Sequence, residues 1–133
     1  VEEIKCSPLF FGERTSKEAM ASFRDITAEN FNPENILKAL VQGMAWELHR
    51  FYKVLPEDVK QNLSLLAGAG NGIRKNRHHM KMVEILYNKP LYILQSVEES
   101  CLGAVINAGT GVQIFKSHSE GSQSIVEYCK ALN

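Results

Sequence analysis

The apolar run Leu63-Ser64-Leu65-Leu66-Ala67 passes directly into Gly68-Ala69-Gly70-Asn71-Gly72. A short apolar run closed by glycines reads as a buried strand. Glycines let the backbone turn sharply and approach a ligand with no Cβ in the way. Beyond them a helical stretch from about Lys75 to Tyr87 carries Met82, Val83 and Leu86 as its inner stripe. The free N–H groups where such a helix begins attract phosphate. Asn71 tolerates a left-handed conformation better than most residues, so it suits such a turn. The spacing is G-x-G-x-G. It lacks the Gly-Lys-Ser/Thr of a P-loop and is not G-x-G-x-x-G. The acidic residue that a dinucleotide fold places about 20 positions on is absent between Lys89 and Leu94. On spacing alone, a nucleotide loop and a plain tight turn both fit.

Downstream, Pro90 precedes a second strand, Leu91 to Leu94. Ser96 with Glu99 three residues on forms a capping box that opens a helix through about Ala108. Cys101, Leu102, Ala104, Val105 and Ala108 make that helix small and apolar, so it is expected to pack tightly. A last helix is expected from about Ser122 to Leu132, burying Ile125, Val126, Cys129 and Leu132.

Upstream, a helix is expected from Pro33 to about Val54, with Asn32 as N-cap, Pro33 at the first position and Glu34 complementing the dipole. Its apolar stripe is Leu37, Val41, Met44, Leu48 and Phe51, widened by Leu40 and Ala45. Gly43 at mid-helix costs about 1 kcal/mol against alanine, which signals close packing there. Pro56 marks the end. Ile4 to Phe11 reads as extended, with Pro8 limiting it to an irregular or edge strand, and Gly12-Glu13-Arg14 as a turn. Strands alternating with helices predict an α/β layer structure. Two or three strands make a thin sheet, which points to a piece of a larger fold.

Composition sets the outer limits. A chain of 133 residues fits one domain. Hydrophobic residues are 44% and charged residues 23%, a globular balance. Fifteen basic residues offset fifteen acidic ones, so no footprint for nucleic acid or anionic lipid is evident. The one basic cluster, Arg74, Lys75 and Arg77, is too short to alter that. No apolar run approaches the roughly 18 residues needed to cross a bilayer. Val1-Glu2-Glu3 carries neither an initiator Met nor a signal pattern, which reads as a removed segment or a fragment. Three widely spaced cysteines, Cys6, Cys101 and Cys129, argue for reduced thiols and a cytoplasmic setting.

Other chemistry-bearing residues have plainer explanations. His78 and His79 are adjacent, point about 100° apart on a helix and cannot jointly hold a metal. His49 is most simply a surface or packing residue of the long helix. Glu98 and Glu99 fit a helix's first turn better than a catalytic carboxylate pair. No Ser/His/Asp or Cys/His arrangement can be read.

The order of these segments resembles the last third of FGGY-family carbohydrate kinases, and within them the sedoheptulokinase branch. Pro8-Leu9-Phe10-Phe11-Gly12-Glu13-Arg14 is similar to the family's F-x-G-E-R segment. The helix around Ala39 and Gly43 resembles its A-x-x-x-G-x-x-x-N-L helix. Gly68-Ala69-Gly70-Asn71-Gly72-Ile73-Arg74-Lys75-Asn76 resembles its adenosine motif, and Glu98-Glu99-Ser100-Cys101-Leu102-Gly103-Ala104 its E-x-A-A-x-G-A-A helix. Asn71 stands where many members have a second glycine, and Val105 replaces a paired alanine.

The resemblance implies an actin-like, ribonuclease H-like ATPase fold, with residues 1–133 forming part of its C-terminal nucleotide-binding lobe. It implies that Gly68, Gly70, Asn71 and Gly72 line the nucleotide and that Asn76 hydrogen-bonds it. ATP and Mg²⁺ would serve the complete enzyme, which would phosphorylate a ketose such as sedoheptulose. The general base, the phosphate loops, the metal site and most sugar contacts would lie in a missing N-terminal lobe, leaving no catalytic residue here. A lobe without its partner is expected to expose a sheet edge or to self-associate over it. Two other readings stay open: a non-catalytic nucleotide-binding or interaction module, and a small dinucleotide-dependent oxidoreductase subunit.

Overall fold

Small residues, more than large ones, decide how the first part of the chain packs. The computed structural model describes residues 2–132, with Val1 and Asn133 outside the described residues. It divides into two units: residues up to Leu63 together with Lys81–Asn88, and Ser64–Met80 together with the residues from Lys89 on.

In the first unit, β1 (Lys5–Ser7) pairs antiparallel with β2 (Ser22–Arg24), with Cys6 opposite Phe23. The connection back to α1 (Pro33–Lys53) is organised by buried Asn30. Its Oδ1 accepts from the Thr27 amide at 2.8 Å, and its Nδ2 donates to the carbonyls of Glu2 and Asp25 at 3.0 and 2.9 Å. The helix starts as expected, Asn32 Oδ1 accepting the Asn35 amide at 2.9 Å with Pro33 in the first turn.

The buried face of α1 differs from the expected stripe. Ala45 is buried as expected, but its companions are Ala39 and Gly43, whereas Leu37, Met44, Leu48 and Phe51 are exposed, Leu37 by 62% and Phe51 by 61%. The cause is how close β1 lies. A Cβ at Gly43 would stand 2.4 Å from the Cys6 carbonyl oxygen, so only small residues fit on that face. Arg50 pairs with Glu13 at 2.9 Å and Glu47 at 3.2 Å, holding the Gly12-Glu13-Arg14 turn, where Gly12 has φ 75°. A short helix, α2 (Glu57–Asn62), follows Pro56 and was not legible as one.

In the second unit, β3 (Leu66–Gly68) runs parallel to β4 (Leu91–Leu94), which pairs antiparallel with β5 (Tyr128–Lys130). The order is β3-β4-β5. Central β4 buries Leu91 and Ile93 on alternate positions. The strand expected from Leu63 begins only at Leu66, because the Leu63 amide still bonds back to the Val59 carbonyl at 3.2 Å and closes α2. Leu65, leading into β3, is 44% exposed.

The glycine loop leads to a single turn, α3 (Asn71–Arg74), and then to α4 (Arg77–Tyr87), whose first residues belong to this unit. Helix α5 (Glu99–Gly111) follows β4. Contrary to the tight packing expected, Cys101, Gly103, Ala104, Val105 and Ala108 are all exposed and Gly109 alone is buried. The contact with α6 (His118–Ile125) runs instead through Phe115, whose ring lies where a Cβ at Gly109 or Gly121 would stand, at 2.7 and 2.9 Å.

The expected terminal helix is corrected more deeply. It ends at Ile125, Val126 turns extended (φ −93°, ψ 120°), and Tyr128–Lys130 forms β5. The open side of β4 offers backbone partners that a helix there would leave unpaired: Gln95 donates to the Glu127 carbonyl at 3.0 Å and Ala131 to the Leu91 carbonyl at 2.9 Å.

Candidate functional site

The three loop glycines differ in what the fold demands of them. At Gly68 a Cβ would stand 2.9 Å from Ile93 Cδ1 and 3.3 Å from Ile73 Cγ2, so a side chain there would have to displace both isoleucines. Gly70 has φ 84° and ψ 159°, a conformation almost closed to other residues. Gly72 is exposed, has no left-handed φ, and a Cβ there would meet nothing within 4 Å. Nothing inside the protein requires glycine at that third position.

The amides around Asn71 divide in the same way. Arg74 and Lys75 donate back to the Gly70 and Asn71 carbonyls at 3.1 Å each, closing the single turn of α3. Among the described residues the Asn71 and Gly72 amides meet no protein acceptor. The Gly70 amide does: it donates to Glu99 Oε1 at 3.0 Å. Gly70, expected to line a nucleotide, thus has its amide engaged inside the protein.

Glu99 also replaces the expected capping box. Ser96 Oγ accepts from the Glu98 amide at 3.3 Å, but the α5 N-cap position is Glu98, without a side-chain cap bond. The Glu99 carboxylate turns to the loop instead. There it pairs with Arg74, whose Nη2 also donates to the Ser96 carbonyl at 2.8 Å and the Leu94 carbonyl at 3.3 Å. Glu99 is held below the ordinary carboxylate range first by the Gly70 amide, then by its own amide, with Arg74 adding to both. One guanidinium and one carboxylate thus bind the loop to the end of β4 and the start of α5.

Asn76 is partly committed: its Oδ1 accepts from the His79 amide at 3.0 Å and its carbonyl from the Met80 amide at 3.0 Å, which makes it the cap of α4. His79 is buried and His78 exposed. Among the described residues no group of three His, Cys, Asp or Glu could hold a metal ion, and the three cysteines are free thiols. In the other unit, His49 packs with Trp46, Tyr52 and Tyr87, its ring 4.9 Å from that of Tyr87, and burial lowers its pKa. Among the described residues no helix is long and apolar enough to cross a membrane.

Comparison with known proteins gives this loop a context. No family model matches the chain. Glycerol kinase of Lactococcus lactis subsp. lactis (strain IL1403) is 27% identical over 126 residues, covering 92% of this chain. The crystal structure of Plasmodium falciparum glycerol kinase with ADP matches with a TM-score of 0.72 and 28% identity, again over 92% of the chain. The chain is thus similar to glycerol kinase at low identity, in sequence and in fold. It spans about a quarter of the length of both relatives, 25% of the bacterial one and 24% of the plasmodial one. Its mixed helices and strands accordingly form an α/β part of the actin-like ATPase fold that glycerol kinase carries. Both likenesses are to glycerol kinases, and the sedoheptulokinase branch is a finer assignment than 27% identity carries.

Sequence reasoning missed Glu99 as a loop residue. The available signal was a carboxylate just after a strand that pairs parallel to the glycine-bearing one, where the two strand ends lie side by side.

Proposed function

We propose that this chain is the nucleotide-binding part of the C-terminal lobe of an ATP-dependent sugar or polyol kinase. Gly72 carries the reading: a glycine that the protein's own packing does not need, next to two amides without a protein acceptor, leaves room for a ligand against the backbone. Homology to glycerol kinase, one example of which was crystallised with ADP, supports it.

In this reading Gly68 seats the loop, Gly70 turns it, and Asn71 and Gly72 meet the nucleotide through backbone amides. Asn76 keeps its Nδ2 donor for the same ligand, its Oδ1 being used by His79. The carboxylate of Glu99 at the Gly70 amide disfavours a phosphate there, so the loop suits the nucleoside end. ATP with Mg²⁺ would phosphorylate a hydroxyl of a sugar or polyol held mostly by the rest of the protein, sedoheptulose being the acceptor implied by the resemblance of Gly12-Glu13-Arg14 and Arg74-Lys75-Asn76 to the sedoheptulokinase branch. Phosphoryl transfer depends on positioning and on metal near the β- and γ-phosphates, so the chain alone is expected to turn nothing over.

The test is a titration of the ¹⁵N-labelled chain with ADP, ATP and NADH. Shifts confined to Gly68 through Asn76 with the adenosine phosphates are expected. An unresponsive loop, or an equal response to NADH through other residues, would remove the reading.

A further inference from the structure

We propose that Glu99 is the positioning residue of the nucleotide loop, fixing the orientation of the Gly70 peptide so that the Asn71 and Gly72 amides face outward together. The proposal rests on the nucleotide reading above and adds a residue to it. Gly70 is the residue on which the loop turns. Its φ of 84° makes the turn possible, but a glycine has little steric preference of its own, so something else must hold that peptide in one orientation. The Glu99 carboxylate does so at 3.0 Å.

The carboxylate is itself fixed. Arg74 pairs with the same oxygen and is tied to the Ser96 and Leu94 carbonyls, and its side chain is only 16% exposed, that of Glu99 22%. Arg74 belongs to the turn that Gly70 opens, so the contact closes a ring: loop, guanidinium, β4 end, α5 start, carboxylate, loop. Hydrogen bonds to an ionised group are about twice as strong as neutral ones, which suits a holding role. The lowered pKa of Glu99, which favours its charged form, is what such a contact produces. Glu99 acts through Gly70 without touching the nucleotide.

The experiment uses the full 133-residue chain with E99Q and E99A, two NMR readouts and ADP as the probe. The first readout needs no ligand. The wild-type Gly70 amide should resonate downfield and move with pH as the Glu99 carboxyl titrates, and in E99Q that movement should vanish. The second is ADP affinity. E99A should bind about tenfold more weakly, the worth of one hydrogen bond to a charged group, while resonances of α5 and β4 away from the loop stay in place. E99Q, which keeps a neutral acceptor, should recover part of the loss. Equal affinity in wild type and E99A overturns the proposal; if E99A does not fold, equal affinity in E99Q does so instead. A wild-type loop that ignores ADP while Gly70 still titrates overturns the nucleotide reading, and the positioning role with it, although the contact stands.

Discussion

Replacing Gly72 by alanine separates what the protein needs from what a ligand needs. A methyl group at this position has no atom within 4 Å to collide with, and the backbone there is not left-handed. Removing a glycine also lowers the entropy of the unfolded chain, and alanine favours the helical turn. Folding of G72A should therefore be unchanged or improved, by up to about 0.5–1 kcal/mol. Nucleotide binding should move the other way. If the ligand lies against the Gly72 backbone as proposed, the added methyl keeps it from the Asn71 and Gly72 amides, and at least one hydrogen bond is lost. At about 1 kcal/mol for the bond, plus exclusion of close contact, affinity should fall by about tenfold or more. Urea unfolding followed by circular dichroism gives the first quantity, and ADP titration by calorimetry or NMR the second. A G72A chain that binds ADP as well as the wild type would refute the idea that Gly72 leaves space for the ligand. A marked loss of stability would refute the claim that the protein leaves that space open.

The neighbouring glycines should behave differently. G68A should destabilise by about 1–3 kcal/mol through the collision with Ile93 and Ile73, and G70A by about 1–3 kcal/mol through its φ; both would be read from urea midpoints. G43A should also destabilise, by about 2 kcal/mol: overpacking against the Cys6 backbone at 2.4 Å outweighs the gain of about 1 kcal/mol in helix propensity, and a neutral result would show that β1 yields freely. His49 is held below its ordinary pKa by burial and by Lys53. Its neutral form is therefore the one the fold favours, and its contribution should be lost as pH falls through the ordinary histidine value, about 6.5. The difference in urea midpoint between pH 7.5 and 5.5 should shrink in H49L, and an unchanged difference would clear His49 of any part in it.

What could be read in advance was local chemistry. Asn32-Pro33 announced the start of α1, Pro90 and the apolar run after it bounded β4, and the glycines marked the loop, because each signal acts within a few residues of itself. What escaped depends on distant partners. Leu37, Leu48 and Phe51 have faultless helical spacing, yet β1 lies so close along Ala39 and Gly43 that the bulky side must face away. Ile125, Val126, Cys129 and Leu132 suit a helix, but the unpaired side of β4 draws Tyr128–Lys130 into a strand. The loop residues were legible as a loop. The carboxylate that steadies them lies 29 residues from Gly70, and Ser96 offered it a plausible local role as a capping partner.

The ring of Phe115 has a consequence for how this sequence can change. Gly109 and Gly121 both lie against its Cδ2 edge, so α5 and α6 leave no room for a side chain at either position. Alanine at either glycine would demand a smaller side chain at 115 or a wider gap, and a smaller residue at 115 alone would leave a hollow. Across diverged relatives the three positions should therefore vary as a set, with aromatic residues at 115 accompanying glycine at both of the others.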